Sequence, residues 1–586
     1  MKENNEIYKF EQLKIDPIKG FPELHWRGKH PYTETYYYPA QKKEEYPTKY
    51  SKKTYIDKDE KEKPWINKLY WGDNLQVMSH LLKEFRGKVD LIYIDPPFDS
   101  KADYKKKIKI RGEEVKSDSS TFEEKQYGDI WANDEYLQFM YERLILMREL
   151  LSDTGSIYLH CDWHKSHYLR CLLDEVFGCD NMINEIVWCY TGGTDSKTSF
   201  GKKHDTLLFY SKSEKYKFYG DYMPFAEATI KRFNKEDENG RYKENTLADG
   251  RVTKTYMKEE GKLVPDYWNF SIVNRTYNEY ENYPTQKPEA LLERIIKSTT
   301  DKNDIVFDSF MGSGTTQAVA MKLGRRFIGA DINLGAIYTT TKRLLNIQNE
   351  EKGNDKYTDF EVYNVNNYDL FRNPVEAKDL ILEALNVNVF DKGNIYDGEC
   401  DGYMVKVMNV NRITTKADLE TFRASLPYKT FDEKKQESPN KTVEKIMIVC
   451  MGHEPDLAAA FAEENLNYKL DIKICDILTD RRDLTFKRDS EANIKINKNK
   501  LVIKNFYPLN LLDKLDMDKK DVDDYRQLVD AVLIDFNYDG KTFKPDVKDI
   551  PEKNDYVEGE YEIPENHGKI KIKITDILSE SIELEI

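Results

Sequence analysis

The sequence has few cysteines, and no two of them have the spacing of a metal-binding pair. Its 586 residues include seven cysteines, at positions 161, 171, 179, 189, 400, 450 and 475. No C-x-x-C pair occurs among them. An odd number of cysteines without metal-site spacing indicates reduced thiols, so we expect a cytoplasmic protein.

Long hydrophobic runs are also missing. No apolar stretch approaches the roughly 18 residues that a membrane span requires, and residues 1–6 lack the apolar segment of a signal peptide. We therefore expect no membrane partner. Hydrophobic residues make up 39% of the chain and charged residues 33%, and its length predicts two or three globular domains.

The chain has no excess of positive charge. Its formal net charge is −15, which excludes a simple basic DNA-coating protein. It does not exclude a DNA enzyme, because affinity for DNA depends on local basic surface. One basic cluster, which we expect to contact DNA, consists of Lys101, Lys105, Lys106, Lys107, Lys109 and Arg111. The alternative for such a cluster is a solvated loop.

Two common nucleotide-binding motifs are absent. No G-x-x-x-x-G-K-[ST] sequence occurs, which argues against an NTPase, and a G-x-G-x-x-G motif is incomplete because Gln317 occupies its third glycine position. Present instead are a strand ending at Asp308, the glycine turn 312–314, a helix, and a strand ending at Asp331. Glycines let a ligand approach the backbone, the helix N-terminus offers free N–H groups, and the final acid can reach ribose hydroxyls. This unit predicts a nucleotide-type ligand.

A second candidate site is the tetrad Asp95-Pro96-Pro97-Phe98. It follows residues 89–94, an apolar run that predicts a buried parallel strand, and ligands bind at the carboxyl ends of such strands. Asp95 and the Pro96 carbonyl can each accept a hydrogen bond from an exocyclic nucleobase amine, and Phe98 can stack on an extruded base. An isolated tetrad can equally be a strand that ends in a proline turn.

Strand and helix patterns alternate from about residue 67, which predicts an α/β fold with a mostly parallel sheet flanked by helices. We interpret residues 1–66 as an irregular arm, residues 67–350 as one domain, and the polar residues 101–130 as a loop. Residues 213–282 interrupt the alternation and predict a recognition insertion. Residues 351–586 have their own α/β signals and predict a C-terminal α/β domain for DNA or partner contacts.

Histidines are clustered at the end of the predicted strand 155–160 and the start of the helix that follows, but they do not predict a metal site. His160, His164 and His167 lie near Asp162, and their spacing is not that of H-E-x-x-H. We expect structural or polar roles for them and no bound metal.

Together these segments resemble the S-adenosylmethionine-dependent DNA amino-methyltransferases in the β arrangement, in which the catalytic tetrad precedes the cofactor glycines. The sequence Tyr-Pro-Thr-Gln-Lys-Pro-Glu-Ala-Leu-Leu-Glu-Arg, just before the glycine strand, is similar to the family's cofactor-flanking motif. Residues 155–160 and 173–178 resemble its later sheet motifs. The resemblance covers about residues 67–345, and the total length and residues 24–29 are similar to modification subunits of Type III restriction systems.

The resemblance implies a Rossmann-like, circularly permuted methyltransferase domain that uses S-adenosylmethionine. It implies that the base pocket consists of Asp95, Pro96, Pro97 and Phe98. The cofactor-binding residues that it implies are Asp73, Thr285, Gln286, Lys287, Asp308, Phe310, Gly312, Ser313, Gly314 and Asp331. The sequence departs from the family at Ser309, where proline is usual, and at Asp331, where glutamate is usual.

The expected reaction is methylation of adenine N6 in double-stranded DNA. In this family a tetrad that begins with aspartate points to adenine, whereas cytosine-N4 enzymes usually begin with serine. Both amines need an acceptor, so cytosine N4 remains an alternative, as does a recognition subunit that guides a restriction partner. A homodimer and a restriction subunit are the further expected partners.

Overall fold

The structure is a computed structural model of the chain. It describes residues 7–10, 24–56, 61–97, 107–110, 113–116, 133–190, 198–273, 279–281, 283, 285–350, 355–365, 378, 381–382, 385, 387–390, 394–400, 402–408, 414–437, 442–450, 468–476, 490–497, 499–514, 517, 519–551, 555–577 and 580–586.

A ten-stranded mixed sheet forms the centre of the fold. Its strands are β1 (Ala40–Tyr46), β2 (Asn67–Trp71), β3 (Val89–Ile94), β4 (Leu151–Cys161), β5 (Met182–Cys189), β6 (His204–Ser211), β7 (Tyr267–Asn269), β8 (Ile305–Asp308), β9 (Arg326–Asp331) and β10 (Phe360–Val365). Across the sheet their order is β7-β5-β6-β4-β3-β8-β9-β2-β10-β1.

The central strands of this sheet, from β4 to β10 in the spatial order, are parallel to one another. On one side β6 runs antiparallel to β4 and β5, and at the other edge β1 runs antiparallel to β10. The mostly parallel sheet predicted from the sequence is confirmed. Strand β3 lies near its centre and is buried apart from half-buried Asp90, as expected for a strand covered on both faces.

Helices cover both faces of the sheet. They are α1 (Asn74–Phe85), α2 (Asn133–Leu150), α3 (Ser166–Phe177), α4 (Glu289–Thr299), α5 (Thr315–Lys322) and α6 (Leu334–Glu350). The first three helices share one buried cluster with Ile92 and Ile94, and the last three share another with Leu91 and Tyr93. Alternate residues of β3 therefore point to opposite cores. Among the described residues, no helix is long and apolar enough to cross a membrane.

Two predictions of irregular structure are wrong in part. Residues 40–46 belong to the expected irregular arm, but they form β1, which pairs with β10 at the sheet edge. Further short strands before residue 67 are Ile7–Lys9, Glu34–Tyr36, Thr54–Ile56 and Glu62–Pro64. Within the expected loop 101–130, Lys107–Ile110 and Glu113–Lys116 form a two-stranded sheet. Most of these strands are short and rich in charged residues, so the pattern of apolar residues did not identify them.

The segment 213–282 forms small peripheral sheets. Its strands are Tyr222–Met223, Lys235–Asp237, Gly240–Thr246, Val252–Tyr256 and Lys262–Leu263, with a short helix at Glu227–Ile230. The segment returns to the central sheet through β7, which pairs with β5.

The described residues after 365 form three further sheets. The first contains Asn388–Val389, Gly398–Cys400, Tyr403–Val407, Glu444–Cys450 and Leu470–Asp476. The second contains Glu491–Asn497, Lys500–Tyr507 and Glu560–Glu562, and the third contains Val529–Asp535, Val547–Asp549, Lys571–Asp576 and Ser581–Glu585. The helices in this part are Lys416–Ser425, Tyr428–Glu437 and Leu509–Lys514. In this part the sequence pattern predicts strands at 446–451 and 470–477 and a strand and turn at 531–540, and the structure has strands at these places. The helix that the pattern predicts at 457–464 lies outside the described residues.

Helix α5 packs closely on β9 without the third glycine of a dinucleotide motif. Gln317 occupies that place, and its Nε2 donates a hydrogen bond to the Ile328 carbonyl at 3.4 Å. Strand β9 provides the space for this side chain at Gly329. A Cβ at that position would lie only 2.6 Å from Met311 Sδ and 2.8 Å from Gln317 Nε2. The glycine that permits close contact therefore lies on the strand instead of the helix.

We predict that Gly329→Ala destabilises the protein by about 1–3 kcal/mol, because the added methyl group would overpack the contact between α5 and β9. Urea unfolding followed by circular dichroism measures this change. Gly568→Ala is the matched control, since a Cβ there meets its nearest atom at 3.5 Å, an ordinary contact. Equal stability of the two variants would contradict the packing argument.

Candidate active site

A cavity of about 400 Å³ opens at the carboxyl ends of the central strands. It is lined by Tyr93, Asp95, Pro96, Pro97, Asp162, Trp163, Trp188, Tyr190, Lys202, Asp205, Ile272, Val273, Tyr283, Thr285, Gln286, Lys287, Leu292, Asp308, Phe310, Met311, Gly312, Ser313, Thr315 and Thr316. The proline corner and the glycine turn, which are far apart in the sequence, therefore share one cavity. Its volume lies within the range of small-molecule sites.

The two carboxylate oxygens of Asp95 differ: one is paired with a lysine, and the other accepts no hydrogen bond from the described residues. Its Oδ2 forms an ion pair with the Lys287 ammonium group. Its Oδ1 is buried and has no hydrogen-bond partner among the described residues. A buried acceptor without a partner is costly, so this oxygen is a candidate for binding a donor from a ligand. Phe98, the fourth residue of the tetrad, lies outside the described residues.

The glycine turn holds backbone and acidic groups in a tight arrangement. Gly312 and Gly314 have φ angles of 49° and 70°, in the left-handed region that favours glycine. The Gly312 N–H donates to Asp331 Oδ2 at 3.0 Å, and the Asn333 N–H donates to Asp331 Oδ1 at 2.8 Å. The Phe310 side chain, 9% exposed, lies on the wall of the cavity.

Asp308 is a buried acid at the end of β8. Its Oδ1 accepts from the Phe310 N–H at 2.9 Å, and its Oδ2 accepts from Thr316 Oγ1 at 2.6 Å. Burial raises the pKa of Asp308 from its ordinary value of 3.8 to about 7, a rise that these two hydrogen bonds oppose and the charge of Asp95 reinforces.

The segment 285–287 reaches the cavity from the start of α4. Gln286 braces the preceding residues: its side-chain oxygen accepts from the Glu281 N–H at 2.8 Å, and its amide donates to the Glu279 carbonyl at 2.5 Å. Thr285 and Gln286 line the cavity wall, while Lys287 is directed to Asp95.

Three of the residues expected at the cofactor do not line the cavity: Asp73, Gly314 and Asp331. Asp73 caps α1 by accepting from the Leu75 N–H at 3.0 Å, and it pairs with Arg143 Nη2 at 3.0 Å. The expected DNA-binding residues Lys101, Lys105, Lys106 and Arg111 lie outside the described residues, and only the backbone of Lys107 and Lys109 is described, within a short strand.

Sequence analysis missed a buried polar network beside Asp95. His160 is fully buried, with Nδ1 2.8 Å from Tyr93 Oη, Nε2 3.2 Å from Asp205 Oδ2, and Nδ1 4.0 Å from Asp95 Oδ1. Tyr190 Oη donates to Asp205 Oδ1 at 3.2 Å. Burial is the largest single influence on the pKa of Asp205 and would raise it. The interactions with His160, the charge of Lys287 and the hydrogen bond from Tyr190 together outweigh burial and lower the pKa. The pairing of strands β3 and β4 creates this network: Leu159 pairs with Ile94, so the next residues, His160 and Asp95, lie side by side.

Comparison with known proteins identifies the family. The family model described as DNA methylase, for the N6 and N4 enzymes, matches residues 89–342. DNA adenine methyltransferase YhdJ of Escherichia coli is 30% identical over 275 residues, which are 47% of this chain and 81% of that protein. The chain belongs to the N6/N4 DNA methylase family. It is thus an S-adenosylmethionine-dependent DNA amino-methyltransferase.

Two further relatives of the methylase are named as a Type II and a Type III enzyme. Type II methyltransferase M.EcaI of Enterobacter cloacae is 29% identical over 326 residues, 47% of this chain and 69% of the relative. The probable Type III enzyme HindVI Mod subunit of Haemophilus influenzae is 26% identical over 383 residues, and the match covers 46% of this chain and 49% of that subunit.

Solved structures similar to the methylase include the M1.HpyAVI-SAM complex, at 19% identity and a TM-score of 0.31, covering 47% of this chain and 98% of that one. The PvuII DNA methyltransferase, described as cytosine-N4-specific, has 19% identity and a TM-score of 0.30, with 47% and 86% covered. These TM-scores are too low to support conclusions beyond the sequence comparison.

The side chains of the cavity fit S-adenosylmethionine. Gly312 adds no side chain to the wall and Phe310 offers an apolar ring. The carboxylates of Asp95 and Asp205 line the same space, which suits a positively charged sulfonium. The cofactor supplies an electrophilic methyl group when it is bound.

We predict that Asp308 makes the stability of the methylase depend on pH. An unfolded aspartate has a pKa of 3.8 and folded Asp308 one of about 7, so between these values the folded state binds more protons. The stabilising contribution of the protonated acid is complete below about pH 4 and is lost as the pH rises through about 7.

Asp308→Asn keeps a neutral side chain at all pH values. Only the wild type loses stability as Asp308 ionises. The melting temperature of the variant minus that of the wild type should therefore increase from about pH 5 to pH 8, as measured by differential scanning calorimetry. Asp180→Asn, at an exposed position, is the control and should follow the wild type. Parallel curves for wild type and Asp308→Asn would show that Asp308 is ionised throughout this range.

Proposed function

We propose that the methylase transfers a methyl group to adenine N6 in a short double-stranded DNA site. The observation that supports this most directly is the buried Oδ1 of Asp95, which accepts no hydrogen bond from the described residues and lies on the same cavity as Gly312 and Phe310. An acceptor in that position can bind the amine of a flipped base beside the methyl donor.

In the proposed reaction, Asp95 Oδ1 accepts one N–H of the target amine and the Pro96 carbonyl accepts the other. These hydrogen bonds favour a tetrahedral nitrogen whose lone pair points at the methyl carbon. As the nitrogen–carbon bond forms, the carbon–sulfur bond breaks and its electron pair stays on sulfur. The nitrogen then loses a proton, for which Asp95 is the nearest base. Orientation and preorganised charge supply the rate acceleration.

Most of the proposed cofactor contacts follow the positions around the cavity. The roles of Asp331 and Asp73, which do not line it, follow the resemblance to the family. Phe310, Gly312 and Ser313, on the turn that Gly314 completes, would hold the methionine part, with Asp308 beneath the turn. Asp331 would bind the ribose hydroxyls, and Asp73 would lie near the adenine. Thr285, Gln286 and Lys287 would line the carboxylate end. Lys287 is paired with Asp95, so the cofactor carboxylate would compete for its ammonium group.

Adenine is favoured over cytosine by two observations. The tetrad of the methylase begins with Asp95, and YhdJ, the adenine methyltransferase, matches over most of its own length. Cytosine N4 is the alternative, since the same acceptor pair can bind its amine.

The arrangement of the chain suggests how DNA is recognised. We propose a permuted, β-type methyltransferase unit at residues 67–350, with target recognition in 213–282 and phosphate contacts from the basic cluster at 101–111. Residues 351–586 would form a C-terminal domain that contacts DNA or a partner. The similarity to the HindVI Mod subunit supports a role in a restriction-modification system, with a homodimer and a restriction subunit as proposed partners.

The central test is methyl transfer from tritiated S-adenosylmethionine to mixed-sequence DNA. We predict that Asp95→Ala lowers the rate at least about 100-fold, because the amine loses its acceptor, while cofactor affinity measured by calorimetry changes little. Mass spectrometry of the digested DNA should identify N6-methyladenine.

The control is Asp180→Ala, which removes an exposed carboxylate and should keep the wild-type rate within about two-fold. Equal rates for the wild type and Asp95→Ala would refute the mechanism. N4-methylcytosine as the product would select the alternative base, and a wild type that binds no cofactor would select the recognition subunit.

A second prediction concerns the cofactor turn. Gly314→Ala should weaken S-adenosylmethionine binding at least about ten-fold, because φ is +70° and the new Cβ would lie 2.5 Å from Thr340 Cγ2. Adding Thr340→Ala removes the two nearest atoms, Cγ2 and Oγ1, but leaves Thr340 Cβ at 2.9 Å and the backbone strain. The double variant should therefore recover part of the affinity. Calorimetric affinity of Gly314→Ala equal to that of the wild type would contradict the placement of the cofactor on this turn.

A further inference from the structure

A fully exposed aromatic side chain lies close to the mouth of the cavity. Phe200 is 99% exposed, although an apolar ring gains free energy when it leaves water. Single exposed apolar residues are common on protein surfaces. The location of Phe200 therefore decides whether its exposure has a function.

Lys202 defines that location. It lines the cavity together with Trp163, and its Nζ lies 3.5 Å from the centroid of the Trp163 ring. Trp163 follows strand β4, which pairs with the strand that ends before Asp95. Phe200 is two residues from Lys202 and so lies within about 7 Å of it along the backbone.

Lys203, the residue after Lys202, attaches the same segment to the end of strand β5 through its backbone. The Lys203 carbonyl accepts a hydrogen bond from the Tyr190 N–H at 3.0 Å, and β6 begins at His204. Two contacts therefore attach the residues that follow Phe200 to the lining of the cavity: the cation–π contact of Lys202 with Trp163 and the hydrogen bond between Lys203 and Tyr190. The ring of Phe200 itself projects into solvent, close to Lys202, which lines the cavity.

Extrusion of a base leaves an empty step in the duplex. Its neighbours lose their stacking partner, and this unstacking cost falls on the enzyme. Proteins that deform DNA often fill such a step with an apolar side chain, and phenylalanine is one of those used. An exposed ring next to a base-sized cavity matches this requirement.

We propose that Phe200 inserts into double-stranded DNA at the step vacated by the target base, while Lys202 lies near the phosphate backbone. The inference rests on the proposed function, since it requires base extrusion. Phe200 is a positioning residue, because it acts on the duplex and does not contact the reacting atoms.

The test compares two substrates in single-turnover methyl transfer by the full chain. The first is a duplex that contains the target site, mapped beforehand by long-read sequencing of DNA methylated by the wild type. The second is the same duplex with the target base mispaired, which is cheaper to extrude. Phe200→Ala should lower the rate at least about ten-fold on the paired duplex and no more than about two-fold on the mispaired one.

Two further variants sharpen the result. Phe200→Trp, which keeps a large ring, should restore most of the rate on the paired duplex. Tyr50→Ala, which removes an aromatic side chain that is 46% exposed, should match the wild type on both. With 2-aminopurine at the target position, Phe200→Ala should show a smaller fluorescence increase than the wild type, because less of the base is extruded.

An equal loss of rate on paired and mispaired DNA would overturn the proposal and assign Phe200 to a general contact with DNA or a partner. An unchanged rate on both would overturn it as well. If the wild type methylates neither duplex, the proposed function fails, and that result does not depend on any Phe200 variant.

Discussion

The pairing of β3 with β8 is the interaction on which the site depends. Val306 pairs with Leu91 and Phe307 with Ile92, in parallel register. Since parallel strands end at the same sheet edge, the proline corner after β3 and the glycine turn after β8 open onto one cavity. The same rule brings His160 beside Asp95 from the opposite side, through β4. The site is therefore a consequence of strand order and register rather than of closeness in the sequence.

Charge is distributed unevenly around this cavity. Asp95, Asp205 and Asp308 line it, and each is held differently: by the Lys287 ion pair, by hydrogen bonds from His160 and Tyr190, and by burial that favours the neutral acid. Buried carboxylates are tolerated only where partners or protons compensate them. Compensation is incomplete only at Asp95, whose Oδ1 accepts no hydrogen bond from the described residues, whereas both oxygens of the other two acids accept hydrogen bonds. This difference is why we propose Asp95 as the acceptor of the substrate amine.

The outer edge of the sheet depends on distant parts of the chain. Strand β1 covers β10, and its other side contacts the C-terminal part, where the Glu45 N–H donates to the Phe543 carbonyl at 3.0 Å. The side chains of Lys573 and Glu44 form an ion pair in the same region. An unpaired edge strand invites association with other chains, and these contacts cover it. The N-terminal residues thus belong structurally to the sheet, which their irregular, charged sequence did not predict.

The sequence alone determined the local elements and the chemistry that they could perform. The apolar run of β3, the two prolines that end it and the glycines after β8 have short-range physical effects, so their positions were readable. Tertiary structure decided which of these elements meet. The ion pair of Asp95 with Lys287, the burial of His160 and the use of Gly329 in place of a helix glycine all depend on register between strands. Register is set by packing across the whole sheet, and no short stretch of sequence contains it.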